Sequence, residues 1–270
     1  MYLADYHTHS RISPDASASM TEMAEAAVAA GLDEICFTDH VEPIEWGTVR
    51  LRRTPYDWDA LTAEFAAARQ AMDGRITLRL GVELGDAPWS FTTAEDLMTH
   101  APQLDFVIGS VHMLSSRFEG QDLYFFDPGT TARAREGMAD YLAQVNRLAR
   151  WGKFDVLGHL TLPLRYLNEN RGFSLTFDGF EREIGDIFQL LVSQNRGIEL
   201  NTNRGGMPLP DEKWLQLYRE CGGEIITLGT DAHSPKHVGC AIRERQALLK
   251  QCGFHAFCTF ENHRPSFHEL

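Results

Sequence analysis

The sequence predicts one α/β domain built around a parallel sheet closed into a barrel. Three observations predict it. Strand-like and helix-like stretches alternate along the chain, the pattern of parallel strands joined by helical crossovers. Seven or eight such units fit into 270 residues, the size of a barrel of this kind. Residues able to bind metal also recur at one point in the unit, directly after the apolar run. An open, doubly wound sheet is the alternative. In either, the carboxyl ends of the strands form the working face.

The first strand, 2–6, empties into His7-Thr8-His9. On extended backbone, side chains at i and i+2 share a face, so both imidazoles can converge on one ion. A loop through Ser13-Pro14-Asp15 leads to an Ala-rich helix over 19–30, stopped by Gly31. The second strand, 34–38, runs into Asp39-His40. A long loop, 41–57, carries Pro43, Trp46, Gly47 and Pro55 and precedes a helix over 58–72. The third strand, Ile76 to Glu83, ends on a carboxylate. A short helix follows over 92–100, with Thr93 as its N-cap. The fourth strand, Asp105 to Gly109, leads through Ser110-Val111 to His112.

The loop 113–129, with Arg117 and Tyr124, precedes a helix over 130–150. The short strand Asp155 to Leu157 leads to Gly158-His159. After a loop over 160–175, which holds Arg165, a helix is expected over 176–194. The strand Gly197 to Leu200 contains Glu199 and is followed by Asn201 and the Gly-rich stretch Asn203-Arg204-Gly205-Gly206. Pro210 and Asp211 signal the start of a helix over 211–221. The strand Glu224 to Leu228 runs into Asp231-Ala232-His233. A helix over 237–251 and a strand from Ala256 to Phe260 complete the domain, and the last ten residues, 261–270, read as a frayed tail. Without a tandem repeat, a low-complexity tract or a linker, a single domain spanning 1–270 is expected.

Composition narrows the function. With 43% hydrophobic and 23% charged residues, the chain is of globular type. No apolar run approaches the ~20 residues needed to span a bilayer. No basic, apolar leader opens the sequence, and the five cysteines are scattered, so reduced thiols and a cytoplasmic home are expected. A net charge of -13 argues against a general nucleic-acid binder. It leaves room for an anionic small molecule, because bound cations invert the local field. Oligomeric state leaves no mark on the sequence.

Six of the eleven histidines, His7, His9, His40, His112, His159 and His233, follow strands of one polarity, together with Glu83, Glu199 and Asp231. The other five, His100, His237, His255, His263 and His268, are scattered and read as surface or core residues. Imidazole and carboxylate without cysteine suit Zn, Mn or Fe. A catalytic zinc takes about three protein ligands plus water, so this set implies two or three divalent ions. Such a site fits displacement at phosphorus, where ions clamp the attacking and leaving oxygens.

His7-Thr8-His9, Thr38-Asp39-His40, Gly81-Val82-Glu83, Gly109-Ser110-Val111-His112, Gly158-His159 and Asp231-Ala232-His233 resemble, in order, the motifs of the PHP (polymerase and histidinol phosphatase) superfamily. Gly-Ser-Val-His and Glu199-Leu200-Asn201-Thr202 resemble its histidinol-phosphatase branch. The resemblance runs from residue 5 to about 240. It implies a distorted, TIM-like (β/α)7 barrel with a trinuclear centre. His7, His9, Glu83 and Asp231 would hold one metal; Glu83 would bridge to a second, held also by His112 and His159; Asp15, His40 and His233 would hold a third. Asp39 would support the site without ligating. The implied reaction is hydrolysis of L-histidinol phosphate, a step of histidine biosynthesis, by attack of a metal-bound hydroxide. Glu83, Asp231 and His233 would be central to it.

A phosphate also calls for cations from the chain, and Arg117, Arg165 and Arg204 lie in loops on the same face, with Glu199 and Asn201 as further substrate contacts. Three rivals share parts of this reading. Another small phosphate ester, a nucleotide or sugar phosphate, would use the same ligands. An amidohydrolase-type barrel would want a bridging lysine where Glu83 stands. A non-catalytic metal-binding or regulatory protein on this fold would be expected to lack some ligands.

Overall fold

Strands covered on both faces are buried along their whole length, and any polar side chain they carry needs a partner. That is the condition of β1 (Ala4–Thr8), β2 (Glu34–Phe37), β5 (Phe106–Ser110), β7 (Gly197–Asn201) and β8 (Ile226–Gly229). The computed structural model describes residues 1–270. Between these strands lie β3 (His40–Val41), β4 (Thr77–Gly85) and β6 (Val156–Leu157). The helices are α1 (Met20–Ala29), α2 (Trp58–Met72), α3 (Phe91–Thr99), α4 (Thr131–Trp151), α5 (Glu181–Ser193), α6 (Glu212–Glu220) and α7 (Ile242–Gln251).

Helix starts follow side chains that satisfy the free backbone N–H groups. Ser19 and Glu22 form a reciprocal capping box on α1, and Asp57, Thr130 and Asp211 cap α2, α4 and α6. The cap of α3 is Ser90 rather than the expected Thr93. Ser90 is still extended, and its Oγ accepts from the Thr93 N–H at 3.2 Å. The helix expected from 176 begins at Glu181. Part of the loop expected before it, Arg165–Asn170, is a π-helical turn, secured by Asn168, whose amide both donates to and accepts from the Leu175 backbone.

All main-sheet pairings are parallel, in the order β1-β2-β4-β5-β6-β7-β8, with β3 also against β4. The ring closes between β1 and the residues after β8. Asp231 N–H donates to His7 O at 2.8 Å, and His9 N–H to Ala232 O at 2.9 Å. Buried Asp5 reinforces the seam by accepting from the Thr230 N–H and hydroxyl and from the Gly239 N–H. The result is the (β/α)7 barrel, α/β and TIM-like, with β3 as a short addition.

The end of the chain differs from expectation. Residues 261–270 are not frayed: β9 (Ala256–Glu261) and β10 (Arg264–Glu269) form an antiparallel hairpin. The hairpin packs over the amino-terminal end of the barrel. Asn262 and His263 donate backbone N–H groups to Asp105, and His263 Nδ1 lies 2.8 Å from Asp155. Phe260 packs on Phe106 at 4.9 Å between ring centroids. Tyr6 links this floor to β1, because its hydroxyl accepts from the Phe260 N–H at 2.8 Å and donates to Glu34. Tyr6→Phe strands the Phe260 donor and should cost about 1–3 kcal/mol, read as a lower urea midpoint with unchanged slope. No helix is long and apolar enough to cross a membrane.

Candidate metal centre

Parallel register brings the candidate ligands to one rim. His7 and His9 flank Thr8 at the end of β1, pointing to the same side. The pairing of β3 with β4 sets His40 directly opposite Glu83. His112, His159 and Asp231 each lie two residues beyond the ends of β5, β6 and β8.

Glu83 is the hub. Its Oε2 lies 3.3 Å from His7 Nε2, 3.5 Å from His9 Nε2 and 3.1 Å from His40 Nδ1. Its Oε1 lies 3.2 Å from His112 Nε2 and 2.9 Å from His159 Nε2. Asp231 Oδ1 stands 3.7 Å from His7 Nε2 and 3.5 Å from His9 Nε2. His233 Nε2 and His40 Nε2 face Asp15 Oδ2 at 3.0 and 3.8 Å.

These spacings fit a metal. Tetrahedral ligands about 2.1 Å from an ion stand about 3.4 Å from one another, close to the separations among His7, His9, Glu83 and Asp231. His7 Nε2, His9 Nε2 and Glu83 Oε2 are buried without hydrogen-bond partners, and buried polar atoms are rarely left so. A cation in their midst would satisfy all three.

The opposite ring nitrogens explain why the Nε2 lone pairs point inward. His7 Nδ1 meets Glu199 Oε1 at 2.7 Å, and His233 Nδ1 meets the Asp231 carbonyl at 3.0 Å. Both partners accept, so both Nδ1 atoms carry the proton. His9 Nδ1 lies 3.1 Å from Ser13 Oγ. The Ser13 hydroxyl donates to Asp39 at 2.7 Å, so it can only accept from His9. Asp39 also takes the Ser10 N–H and hydroxyl and the Ser13 N–H. Its part is to fix the loop and the His9 tautomer.

Charge in the cluster is matched. Burial raises the Glu83 carboxyl, but His7, His112 and His40 outweigh it and hold it well below the usual range. Arg165, then His7, do the same for Asp231. His9, buried and stacked between His40 and His233 at 4.3 and 4.1 Å, is driven well below the usual imidazole value. Burial lowers His40 too, but Glu83, the Asp15 hydrogen bond and Glu42 carry it up to about 9. Without metal, that imidazolium contributes stability that is complete below about pH 6.5 and lost as pH climbs through about 9. A cation competes with the same proton. Metal binding at pH 7.5 should therefore release protons, and affinity should rise with pH. Calorimetric titrations repeated in buffers of different ionisation heat check this, and heats independent of buffer would contradict it.

The remaining expected residues are distributed unevenly. Arg165 is buried beside the cluster, donating from Nη1 to Asp231 Oδ2 at 2.5 Å, from Nε to Asn203 and from Nη2 to Asn201. Arg204 is exposed at the rim, its Nη2 3.5 Å from the Asp231 carbonyl. Arg117 is exposed, 5.7 Å from the Phe118 ring centroid, and no hydrogen bond or ion pair ties it to the cluster. Glu199 and Asn201, expected to contact substrate, lie behind the ligands: both are buried, hydrogen-bonded to each other and to His7 or Arg165. His100, His237, His255, His263 and His268 take no part in the cluster. Sequence reasoning overlooked Ser13 and Asp86. Asp86 directly follows β4 and accepts the His112 and Met113 N–H groups; its position at a strand exit was the available signal. Asp231 itself is left-handed at φ 56, a strained conformation for a residue with a side chain.

A family model for the PHP domain matches residues 5–203. The chain belongs to the PHP family. A histidinol-phosphatase of Lactococcus lactis is 28% identical over 95% of this PHP chain and 93% of its own. A Deinococcus radiodurans protein named as a probable histidinol-phosphatase is 32% identical over 93% of this chain and 94% of its own. Among solved structures, the histidinol phosphate phosphatase of Lactococcus lactis, complexed with Zn, L-histidinol and phosphate, superposes with a TM-score of 0.81 at 25% identity, covering 98% of both chains.

Proposed function

We propose that this PHP chain is a metal-dependent phosphomonoesterase that hydrolyses L-histidinol phosphate to L-histidinol and phosphate. The observation that carries the reading is the Glu83 carboxylate, shared between His7, His9 and His40 on one oxygen and His112 and His159 on the other. It supports two adjacent cations on one bridging ligand, the arrangement suited to in-line displacement at phosphorus. The Lactococcus lactis structure, with Zn, L-histidinol and phosphate bound, supports zinc as the metal and the same substrate here.

His7, His9, Glu83 and Asp231 would hold one ion, Glu83, His112 and His159 a second, and Asp15, His40 and His233 a third. Bound cations supply Lewis acidity, neutralising the phosphoryl oxygens and acidifying water. The chain supplies the rest. Arg165 has one N–H on each Nη left over from its three partners, and Arg204 reaches from the rim; both suit phosphate oxygens. By tying up Asp231 Oδ2, Arg165 leaves Oδ1 to face the histidines. Buried Glu42, with Oε1 3.6 Å from His112 Nδ1, and the exposed rings of Trp46 and Tyr124 suit an alcohol that carries an amine and an imidazole.

The test is a steady-state screen of purified, metal-loaded protein with histidinol phosphate, nucleotide and sugar phosphates and a chromogenic ester. A single methylene in an apolar pocket is already worth about 10–200-fold in discrimination, and a matched hydrogen bond more. The kcat/KM for histidinol phosphate should therefore exceed that for the chromogenic ester by about 100-fold or more. Parity between the two would overturn the substrate assignment and leave the phosphatase.

A further inference from the structure

Glu199 is only 1% exposed, and both its oxygens face N–H donors. Oε1 accepts from His7 Nδ1 at 2.7 Å and from Asn201 Nδ2 at 3.2 Å; Oε2 accepts from the His159 backbone N–H at 2.8 Å. To reach His7 from β7 the carboxylate crosses β8, which is possible because β8 carries Gly229 there. A Cβ at Gly229 would stand 2.3 Å from Glu199 Oε1 and 2.4 Å from His7 Cβ. His7 and His159 lie on different halves of the Glu83 carboxylate, His7 against Oε2 and His159 against Oε1.

We propose that Glu199 is a positioning residue that sets the His7 tautomer and holds His7 and His159 in register across the two cations that Glu83 would share. The inference rests on the metal-centre reading above. His7 is singled out among the cluster histidines because its outer nitrogen is hydrogen-bonded to a carboxylate at 2.7 Å, whereas the nearest carboxylate to His112 Nδ1, Glu42, stands 3.6 Å away. His9 has the Ser13 hydroxyl and His233 a backbone carbonyl, both uncharged, while His159 Nδ1 has no partner. A charged acceptor on Nδ1 makes Nε2 a stronger ligand, so the ion facing His7 and His9 is the one Glu199 secures. Three donors converge on two oxygens. A glutamine at this position must turn its own NH2 group towards one of them, setting donor against donor.

The experiment is zinc binding to Glu199→Gln and wild-type protein, measured by competition with a chelator and by metal analysis after dialysis. E199Q should bind zinc about 10–100-fold more weakly, losing one equivalent before the others. Its activity should recover at saturating zinc with an unchanged KM. Wild-type zinc affinity in folded E199Q overturns the proposal. So does a raised KM at full metal content, which would make Glu199 a substrate contact. An equal loss of thermal stability with and without zinc, at unchanged affinity, would make its role merely structural. Should E199Q fail to fold, nitrogen NMR of the zinc-loaded wild type decides the matter. It should show His7 protonated at Nδ1 with Nε2 on the metal, and a proton on Nε2 with none on Nδ1 overturns the assignment. Because zinc binding is read without substrate, failure here is distinguishable from failure of the histidinol phosphate assignment.

Discussion

Glu83→Ala is expected to lower kcat/KM by about 10³-fold or more, equivalent to about 4 kcal/mol of transition-state stabilisation, and to strip the protein of more than one metal ion. The reason is geometric. Five imidazoles approach the two oxygens of this one side chain at 2.9 to 3.5 Å. Removing it takes a ligand from two positions at once and leaves the imidazoles without their central counter-charge. Glu83→Gln refines the expectation. Its amide keeps one acceptor oxygen and replaces the other with a donor, so one neighbouring ion should remain and the other be lost. Metal analysis of both variants alongside turnover checks this. A full metal complement in the alanine variant would show that the carboxylate is not shared.

Chelation should produce the second large effect. A site that binds only the folded chain stabilises it by about 2.7 kcal/mol when free metal is 100 times the dissociation constant. For a chain of this size, 1 kcal/mol moves the melting temperature by about 2–4 °C. Each occupied site should thus be worth on the order of 5–10 °C. The metal-free protein should melt correspondingly lower in a calorimetric scan, and added zinc should restore both the midpoint and activity. Identical midpoints with and without chelator would contradict a metal-binding role for the buried, unpartnered atoms of His7, His9 and Glu83.

The barrel and the ligand rim were legible because both follow local rules. His7 and His9 share a face by strand periodicity, and His112, His159 and Asp231 stand at equivalent strand exits. What escaped notice depends on contacts between distant segments. Glu199 looks in sequence like any carboxylate at a strand exit. Only the order of the strands, with β8 between it and β1, turns it towards the outer nitrogen of His7. Ser13 could not be assigned because its part depends on where Asp39 sends its two oxygens. Residues 261–270 read as a tail because β10 is polar and largely exposed, as suits a strand on the surface of a floor. Its order comes from β9 and from anchors at Asp105, Asp155 and Tyr6, which no local pattern announces.

The hairpin of β9 and β10 has a consequence for how the molecule is made. The residues that seal the underside of the ring, 256–269, are translated long after Tyr6, yet they rest against it. The seam at Asp5 likewise waits for Thr230 and Gly239. Early segments can nucleate helices during translation, but Asp231 cannot meet His7 and His9 until residues beyond 230 have cleared the ribosome, and the floor is sealed only when residues beyond 260 follow.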